Sequence, residues 1–234
     1  MINVRVKFTK ENEVKYISHL DLMRTFMRVV RRANIPIAYS GGYNPHPEMS
    51  FGAPLSLGVI SMAEYVDIKL EQELDLGDMI ARLNLSMPMG IKVLGAAKLP
   101  ESFKSAMALI THAKYTIYVS VEKTDLQYFK SKLIEFLNQE SIIGKKRQPK
   151  KNFAIKEFDI KPMILEMALE GCEEDICTFT CLLLSGSQSN LNPEILIQAF
   201  VEYAGIDVKR IKILRNEVYS EKNGKLLDLL KYEN

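Results

Sequence analysis

The chain has 234 residues, of which 47% are hydrophobic, so it can bury the core of one large or two modest domains and is not disordered. The formal net charge of +2 says little about partners, and no stretch approaches the roughly 18 apolar residues of a membrane span. The first residues lack the apolar core of a signal peptide, and an odd number of cysteines does not indicate a disulfide framework. A soluble protein of the reducing cytoplasm, with no membrane partner, is the expectation.

The first hundred residues alternate between strand and helix patterns. Residue 2 starts a run in which apolar and polar side chains alternate, as in a half-buried strand. Ser18 is placed as an N-cap, Asn34 with Pro36 ends the first helix, and Asp75 starts the second. The strands are predicted at residues 2–9, 37–39, 64–71 and 90–96, and the helices at 18–33 and 75–85. This order, β-α-β-β-α-β, is that of the ferredoxin-like motif.

The second half repeats this order of elements. Asp125 caps one helix, and Asn192, Pro193 and Gly205 have the residue types of a cap, a first-turn proline and a terminating glycine. Strands are predicted at residues 112–121, 176–184 and 209–219, and residues 153–169 are predicted to hold one strand or a bent pair of strands. A hairpin is expected through Asn223-Gly224. The predicted fold is therefore α+β, with two ferredoxin-like βαββαβ domains in tandem, at residues 1–100 and 101–234.

The first helix has one apolar and one basic side. Its core stripe is predicted to consist of Leu20, Met23, Met27 and Val30, flanked by Phe26. The other side carries four arginines and no lysine: Arg24, Arg28, Arg31 and Arg32. A solvated face explains many such helices, but the planar guanidinium binds phosphate better than an ammonium does. These arginines are candidate contacts for the backbone of a nucleic acid.

A segment rich in glycine and proline follows this helix, from Tyr39 to Gly58. Gly41-Gly42 allows positive φ, and two prolines one residue apart fix the backbone around His46. The result is expected to be a stiff loop that presents Tyr43, Asn44 and His46 to a ligand. The alternative is a structural crossover whose aromatic side chains fill a gap in the core.

Two of the three histidines are candidate catalytic residues. His46 lies between prolines and titrates near neutral pH as an acid or base, or it donates a hydrogen bond to a phosphate or base. His19 lies in the first turn of the arginine helix, where amides favour anions, although a structural role is equally compatible. Two histidines and a stray carboxylate are too few for a metal site, and no cofactor motif is present, so no metal or cofactor is predicted.

Two further motifs lie in the second half. Cys172, Cys177 and Cys181 do not have the spacing of a radical-SAM cluster and are interpreted as core thiols. The basic segment GKKRQPKK is predicted to be a loop, either simply solvated or bound to a nucleic-acid backbone. Its charged residues are Lys145, Lys146, Arg147, Lys150 and Lys151.

The stretch YISHLDLMRTFMRVVRRANIPIAYSGGYNPHPEMSFGAPLSLGV, with AEYVDIKL after it, closely resembles the radical-SAM-linked protein family, a group of unknown function. The resemblance is specific across residues 4–70 and looser at FDIKP and RNEVY. It implies a partnership with a B12-binding-type radical SAM protein, because members occur next to or fused to one. Members often have a basic residue where this chain has Glu48, which argues against phosphate contact there. The family pattern maps onto Ser18, His19, Asp21, Arg24, Arg31, Arg32, Tyr39, Asn44, Pro45, His46, Pro47, Ser50, Phe51, Pro54, Gly58 and Glu64.

Three functions are consistent with these patterns, and whether the protein is an enzyme stays open. The first is an RNA-binding accessory factor that presents RNA, such as tRNA or rRNA, to a radical SAM modification enzyme. In it the arginines and the basic segment hold phosphates, while Tyr39, Tyr43 and Asn44 contact the RNA. The second is a metal-independent endoribonuclease similar in plan to CRISPR-repeat-processing enzymes, with His46 and His19 as acid and base. The third is a protein–protein adaptor for the radical SAM partner.

Overall fold

A computed structural model describes residues 1–122, 125–148 and 154–232 and divides the chain into two compact units. Unit 1 consists of Met1–His112 together with Arg215–Asn234, and unit 2 of Ala113–Leu214. The α+β class predicted from the sequence is confirmed. The domain boundary at residue 100 stays a prediction. The residues after 214 make most of their contacts with unit 1 and therefore belong to it.

Unit 1 has the element order β-α-β-β-α-β. In its sheet β1 lies between β4 and β3 and is antiparallel to both, and β2 pairs with β3. The last strands form a hairpin through Asn223 and Gly224, both at positive φ, as predicted. The strands are β1 Ile2–Lys10, β2 Met49–Phe51, β3 Ile60–Leu70, β4 Val93–Leu99 and β11 Lys225–Asp228, with the end of β10 Val208–Lys222. The helices are α1 His19–Arg32, α2 Leu76–Ser86 and the short α3 Ala106–Leu109, with a 3₁₀ turn at Asn12–Val14.

The core of unit 1 forms between α1 and the sheet. Phe8 of β1 lies 4.6 Å from Phe26 of α1, measured between ring centroids, and both rings contact Phe51 of β2. The apolar stripe predicted for α1 does not coincide with the face that the helix buries, since Leu20, a predicted core residue, is 61% exposed. The residues that α1 buries are Leu22, Phe26, Val29 and Val30. Both sets fit a helical period, and packing against Phe8 and Phe51 selects the second.

Unit 2 has the strand order β10-β5-β9-β8, with two helices and an added hairpin. The predicted caps are present, since Asp125 and Asn192 accept hydrogen bonds from the first turns of their helices. Gly205 terminates the second of these helices at a φ of 62°. The strands are β5 His112–Val121, β6 Ile143–Gln148, β7 Ala154–Asp159, β8 Ile164–Glu173 and β9 Ile176–Leu184. The helices are α4 Leu126–Leu137 and α5 Pro193–Ala204, with a 3₁₀ turn at Lys161–Met163.

The basic segment was wrongly predicted to be a loop over its described part. Residues 143–148 form β6, which pairs with β7 in a two-stranded hairpin. Because both faces of β6 are largely exposed, its sequence lacks the alternation that marks a half-buried strand. Gly144 lets β6 approach α5, since a Cβ there would lie 2.8 Å from a methyl carbon of Ile195. Lys150 and Lys151 lie outside the described residues.

The cysteines were only partly predicted. Cys172 and Cys177 form a disulfide, whereas Cys181 is a buried free thiol, as expected of a core cysteine. The two bonded cysteines are direct partners across the β8–β9 hairpin, with Cα atoms 4.1 Å apart. An odd total therefore did not exclude a single local bridge. Among the described residues, no helix combines the length and apolar character that crossing a bilayer requires.

Candidate functional site

The arginines of α1 differ in their partners. Arg24 forms an exposed ion pair with Asp21 at 3.2 Å, and Arg32 donates to the carbonyl of Ser86. Arg31 Nε donates to the hydroxyl of Tyr39 at 3.3 Å. Arg28 is exposed and forms no ion pair with any described residue. The guanidinium groups of Arg28 and Arg31 therefore stay available to an incoming anion, since neither is neutralised by a described carboxylate.

The loop between Tyr39 and Pro47 is closed by hydrogen bonds at its base. Tyr39 and Pro47 form an antiparallel bridge, and Ser40 N donates to the carbonyl of His46 at 2.9 Å. Ser40 Oγ accepts from His46 N at 3.1 Å and lies 2.9 Å from His46 Nδ1. Gly42 has a φ of +107°, a conformation that favours glycine. The loop is thus held in one shape, with Tyr43 fully exposed at its tip.

The end of α1 and the base of this loop are in contact. Besides its hydrogen bond to Tyr39, the Arg31 guanidinium lies 5.9 Å from the centroid of the Tyr39 ring. Arg28 is one turn earlier on the same helix, at the i, i+3 spacing that places two side chains on one face. The exposed side chains of Tyr43, Asn44 and His46 extend this surface along the loop. We call Arg28, Arg31 and residues 39–46 the arginine–loop surface.

His46 also lines a cavity of about 360 Å³ in unit 1. Ser50 of β2, Phe103 and Ser105 also line this cavity. Glu48 pairs with Lys69 at 2.6 Å, so the acidic residue at this position neutralises a lysine. The cavity therefore carries little net charge next to the cationic arginine–loop surface.

A buried ion pair fixes one wall of this cavity. Arg5 donates to both carboxylate oxygens of Asp67, at 2.7 and 3.0 Å, and both residues are almost fully buried. Arg5 also donates to the carbonyls of Lys104 and Leu229, and Asp67 accepts from Ala106 N at 2.8 Å. The segment that contains Ser105 is thereby attached to the sheet.

The basic strand of unit 2 lines a separate cavity of about 680 Å³, together with the first turns of α5. Lys145 is ion-paired with Glu202 at 2.5 Å, and this hydrogen bond, with the attraction between the charges, raises the pKa of Lys145. Lys146 and Arg147 are exposed. Part of the positive charge that the sequence places here is therefore neutralised by α5.

His19 lines a third cavity, which we call the His19 cleft. Ser18 and His19, at the start of α1, lie at the cleft, and the His19 ring packs edge-on against Phe51 at 5.7 Å. Two buried charged residues, Lys10 and Glu64, also line the cleft. Glu64 is bound by Arg215, which is itself only 2% exposed. His19 and His46 thus line different cavities.

The sequence patterns did not identify Lys10 or Arg215 as residues of the His19 cleft. The signal for Lys10 was its register, since Val4, Val6 and Phe8 alternate toward the core and Lys10 takes the next inward position. No local pattern relates Arg215 to Lys10, because the two are far apart in the sequence. Within the described residues, no group of three or more potential metal ligands is present.

Three solved structures contain chains to which this chain is structurally similar. A chain in the crystal structure of a Cbf5-Nop10-Gar1 complex has a TM-score of 0.52 and 9% identity, over 94% of this chain and 50% of that one. A chain of an H/ACA RNP bound to a substrate RNA containing 2'-deoxyuridine has a TM-score of 0.49 and 9% identity, over 92% and 47%. A chain of the archaeal box H/ACA sRNP Nop10-Cbf5 complex has a TM-score of 0.47 and 9% identity, over 91% and 46%. The chain thus spans about half the length of these solved chains, and the likeness shows the fold alone.

A family model matches residues 3–193, which is most of the chain. The protein therefore belongs to the family described as "Uncharacterized protein conserved in bacteria (DUF2344)". No curated protein matches it. The family description contains no link to radical SAM proteins, so that part of the resemblance is not supported by these comparisons.

Proposed function

We propose that this protein binds RNA through the arginine–loop surface and acts in the cytoplasm as an accessory factor to a radical SAM RNA-modification enzyme. The observation that carries the RNA-binding part is the contact between Arg31 and Tyr39, which joins the cationic end of α1 to the loop. The radical SAM partner rests on the sequence resemblance alone.

The surface has the parts that single-stranded RNA requires. Arg28 and Arg31 supply guanidinium groups for backbone phosphates, and Tyr43 supplies an exposed ring on which a base can stack. Hydrogen bonds between Ser40 and His46 hold the loop before RNA arrives, so less conformational entropy is lost on binding. Lys146 and Arg147 of the β6–β7 hairpin would add phosphate contacts in unit 2.

The endoribonuclease alternative receives no support from the geometry. An acid and a base that act on one phosphodiester must both reach it, yet His19 and His46 line different cavities. The position of His46 at the edge of the loop suits a hydrogen bond to RNA instead. Cleavage of labelled RNA in chelator, lost in His46→Ala, would reverse this conclusion.

RNA affinity as a function of salt tests the proposal. The double variant Arg28→Ala/Arg31→Ala should bind a mixed-sequence single-stranded RNA at least about tenfold more weakly, with a salt slope lower by about 1.4, or 0.7 per lost phosphate contact. A control with the same loss of charge is Lys209→Ala/Arg210→Ala, which changes exposed residues of β10. Equal affinity loss in both variants, or none in either, would show that the arginine–loop surface is not the RNA site.

A pull-down tests the radical SAM partner separately. Tagged wild-type protein should retain a radical SAM protein from the same bacterium, and nuclease treatment should release it if RNA joins the two. Retention that survives nuclease and the Arg28→Ala/Arg31→Ala change would favour the adaptor function. Failure to retain any radical SAM protein would remove the partner while leaving RNA binding intact.

A further inference from the structure

The cavity that His46 lines, which we call the His46 cavity, forms on the side of the sheet of unit 1 away from α1. Asn3 of β1 pairs with Lys69 of β3, and Ser50 of β2 pairs with Asp67. All four residues line the cavity, as expected of cross-strand partners, which share one face of a sheet. Residues that alternate with them along β1 and β3 contribute to the core beneath α1. The sheet therefore supplies one wall of the cavity, on the face opposite to the core.

Hydrogen bonds hold a second wall in place. Ser105 lines the cavity, and the residues before and after it are bound to the sheet. Arg5 donates to the carbonyl of Lys104 at 2.8 Å, and Asp67 accepts from Ala106 N at 2.8 Å. The cavity is therefore formed before a ligand arrives, and little conformational entropy is lost when one binds.

The carboxylates of the His46 cavity are neutralised. Asp67 is bound at both oxygens by Arg5, and Glu48 is paired with Lys69 at 2.6 Å. Each carboxylate that lines the cavity thus has a cationic partner, and each of those cations is already paired. An uncharged ligand avoids the desolvation cost that a charged one would bear on entering. The cavity therefore suits an uncharged group better than a phosphate.

Polar side chains without partners indicate which uncharged group would fit. Neither Asn3 nor Ser50 uses its side chain in a hydrogen bond to another described residue, and an amide and a hydroxyl each offer both donors and acceptors. Phe103, which is partly exposed, adds an aromatic ring. The volume of about 360 Å³ is in the range of pockets that hold small molecules. A nucleobase matches this combination, because it is uncharged, has two aromatic faces and has hydrogen-bonding groups along its edge.

The His46 cavity is next to the arginine–loop surface. Arg31 donates to Tyr39, Tyr39 and Pro47 are bridge partners, and Pro47 lines the cavity. His46 belongs both to the loop and to the cavity lining. An RNA backbone held by Arg31 therefore passes close enough to the cavity for one of its bases to enter.

We propose that the His46 cavity binds an unpaired nucleobase of the RNA. The inference rests on the proposed function, because the arginine–loop surface brings the RNA to the cavity. The base stacks on Phe103, and its edge forms hydrogen bonds with Asn3 and Ser50. Phosphate contacts position an RNA without reading its sequence, whereas contacts to a base can read it. The cavity thereby sets which nucleotide of the RNA lies at the loop.

Photo-crosslinking locates the base directly. The wild type is irradiated with a mixed-sequence single-stranded RNA that carries photoreactive thiouridine or thioguanosine, and mass spectrometry maps the modified residues. Crosslinks are expected at Ser50 or within residues 103–105. Crosslinks confined to Tyr43 and its neighbours in the loop would show that the bases stay outside the cavity and would overturn the proposal, as would the absence of any crosslink.

Filling the cavity tests its contribution to affinity. Ser50→Phe places a ring at an exposed lining residue, so it should weaken binding of the same RNA about tenfold and abolish the crosslinks within residues 103–105. The salt slope should stay unchanged, because the phosphate contacts remain. Ser187→Phe makes the same change at an exposed serine of unit 2 and should bind RNA as the wild type does.

A second variant keeps the test decisive if Ser50→Phe does not fold. The amide of Asn3 has no hydrogen-bond partner among the described residues, so Asn3→Ala should leave the Tm unchanged while RNA affinity falls several-fold. A lower Tm with unchanged RNA affinity would assign Asn3 a structural role and overturn the proposal.

The base site and the phosphate site fail in different ways. Wild-type affinity in both cavity variants, with weaker binding by Arg28→Ala/Arg31→Ala, would remove the base site and leave the arginine–loop surface intact. Weaker binding by the cavity variants, with none by the arginine variant, would support the base site and refute the phosphate contacts.

Free thiouridine monophosphate identifies the source of the base. Crosslinking of the RNA in preference to the free nucleotide supports the proposal. If the free nucleotide crosslinked to the cavity residues and the RNA did not, the cavity would be a site for a free nucleotide, and its assignment to RNA would be overturned.

Discussion

Removing Asp67 should be among the most destabilising single changes in unit 1. The Asp67→Ala substitution leaves the Arg5 guanidinium buried without its carboxylate, since Arg5 is 1% exposed. It also removes the acceptor of Ala106 N. Breaking a buried pair by deleting one partner costs about 3–5 kcal/mol in comparable cases, mostly because the remaining charge stays desolvated. The expected loss in unfolding free energy is therefore about 3–5 kcal/mol.

Urea denaturation followed by far-UV circular dichroism measures this loss. Two variants separate the buried charge from the loss of a side chain. Arg5→Met/Asp67→Leu replaces both partners with apolar groups and should recover more than half of the stability, because no charge is left unpaired. Glu73→Ala breaks an exposed pair with Lys98 and should leave the midpoint almost unchanged. If Asp67→Ala were no more destabilising than Glu73→Ala, the argument from burial would be refuted.

The remaining predictions concern single positions. Gly144→Ala should lower the free energy of unfolding by about 1–3 kcal/mol, because the new Cβ would lie 2.5 and 2.8 Å from two isoleucine methyl carbons. Gly171→Ala is the control: its Cβ would enter open space, so it should cost little. Urea midpoints compare the two variants. Gly205→Ala should cost about 1 kcal/mol in the same assay, because its φ is +62°. Burial raises the pKa of Cys181 to about 12, so iodoacetamide at pH 8 should label it only in denaturant, and labelling of the native protein would contradict this. Burial disfavours the Lys7 ammonium, but its two acidic partners outweigh this effect and raise the pKa of Lys7 above 10.5. The ion pairs therefore stabilise the fold fully below pH 10.5, and this contribution is lost as the pH rises through the raised pKa. Lys7→Met should accordingly be destabilising at pH 8 and less so above pH 10.5, and a difference in stability that does not depend on pH would contradict the assignment.

Local signals predicted the parts of the fold that depend on local physics. Ser18, Asp125 and Asn192 each cap the helix expected of them, because a cap needs only its own side chain and the next turn. The buried face of α1 could not be chosen from the helix sequence alone, since Leu20 and Leu22 both fit a helical stripe. Contacts with β1 and β2 decide between them, and those lie outside the helix sequence.

The parts that the sequence did not reveal depend on pairing across the chain. A basic segment such as residues 143–148 can be a strand when a partner strand is present, and exposed side chains leave no alternation to detect. The Cys172–Cys177 bridge likewise follows from the register of β8 and β9. In the candidate site, the loop and the arginines could be found from composition, but the contact between Arg31 and Tyr39 could not.

Unit 1 is assembled from two separate parts of the sequence, and this has a consequence for biosynthesis. Arg5 reaches the carbonyl of Leu229, and the partner of Glu64 is Arg215. A nascent chain that has emerged from the ribosome only as far as residue 112 lacks those groups, so Arg5 and Glu64 wait for these partners while all of unit 2 is translated. Unit 2 is continuous and can fold first, although it is made later. Arg5 and Glu64 would then be among the last residues of unit 1 to complete their native contacts, which leaves part of unit 1 exposed to chaperones and proteases while unit 2 is translated.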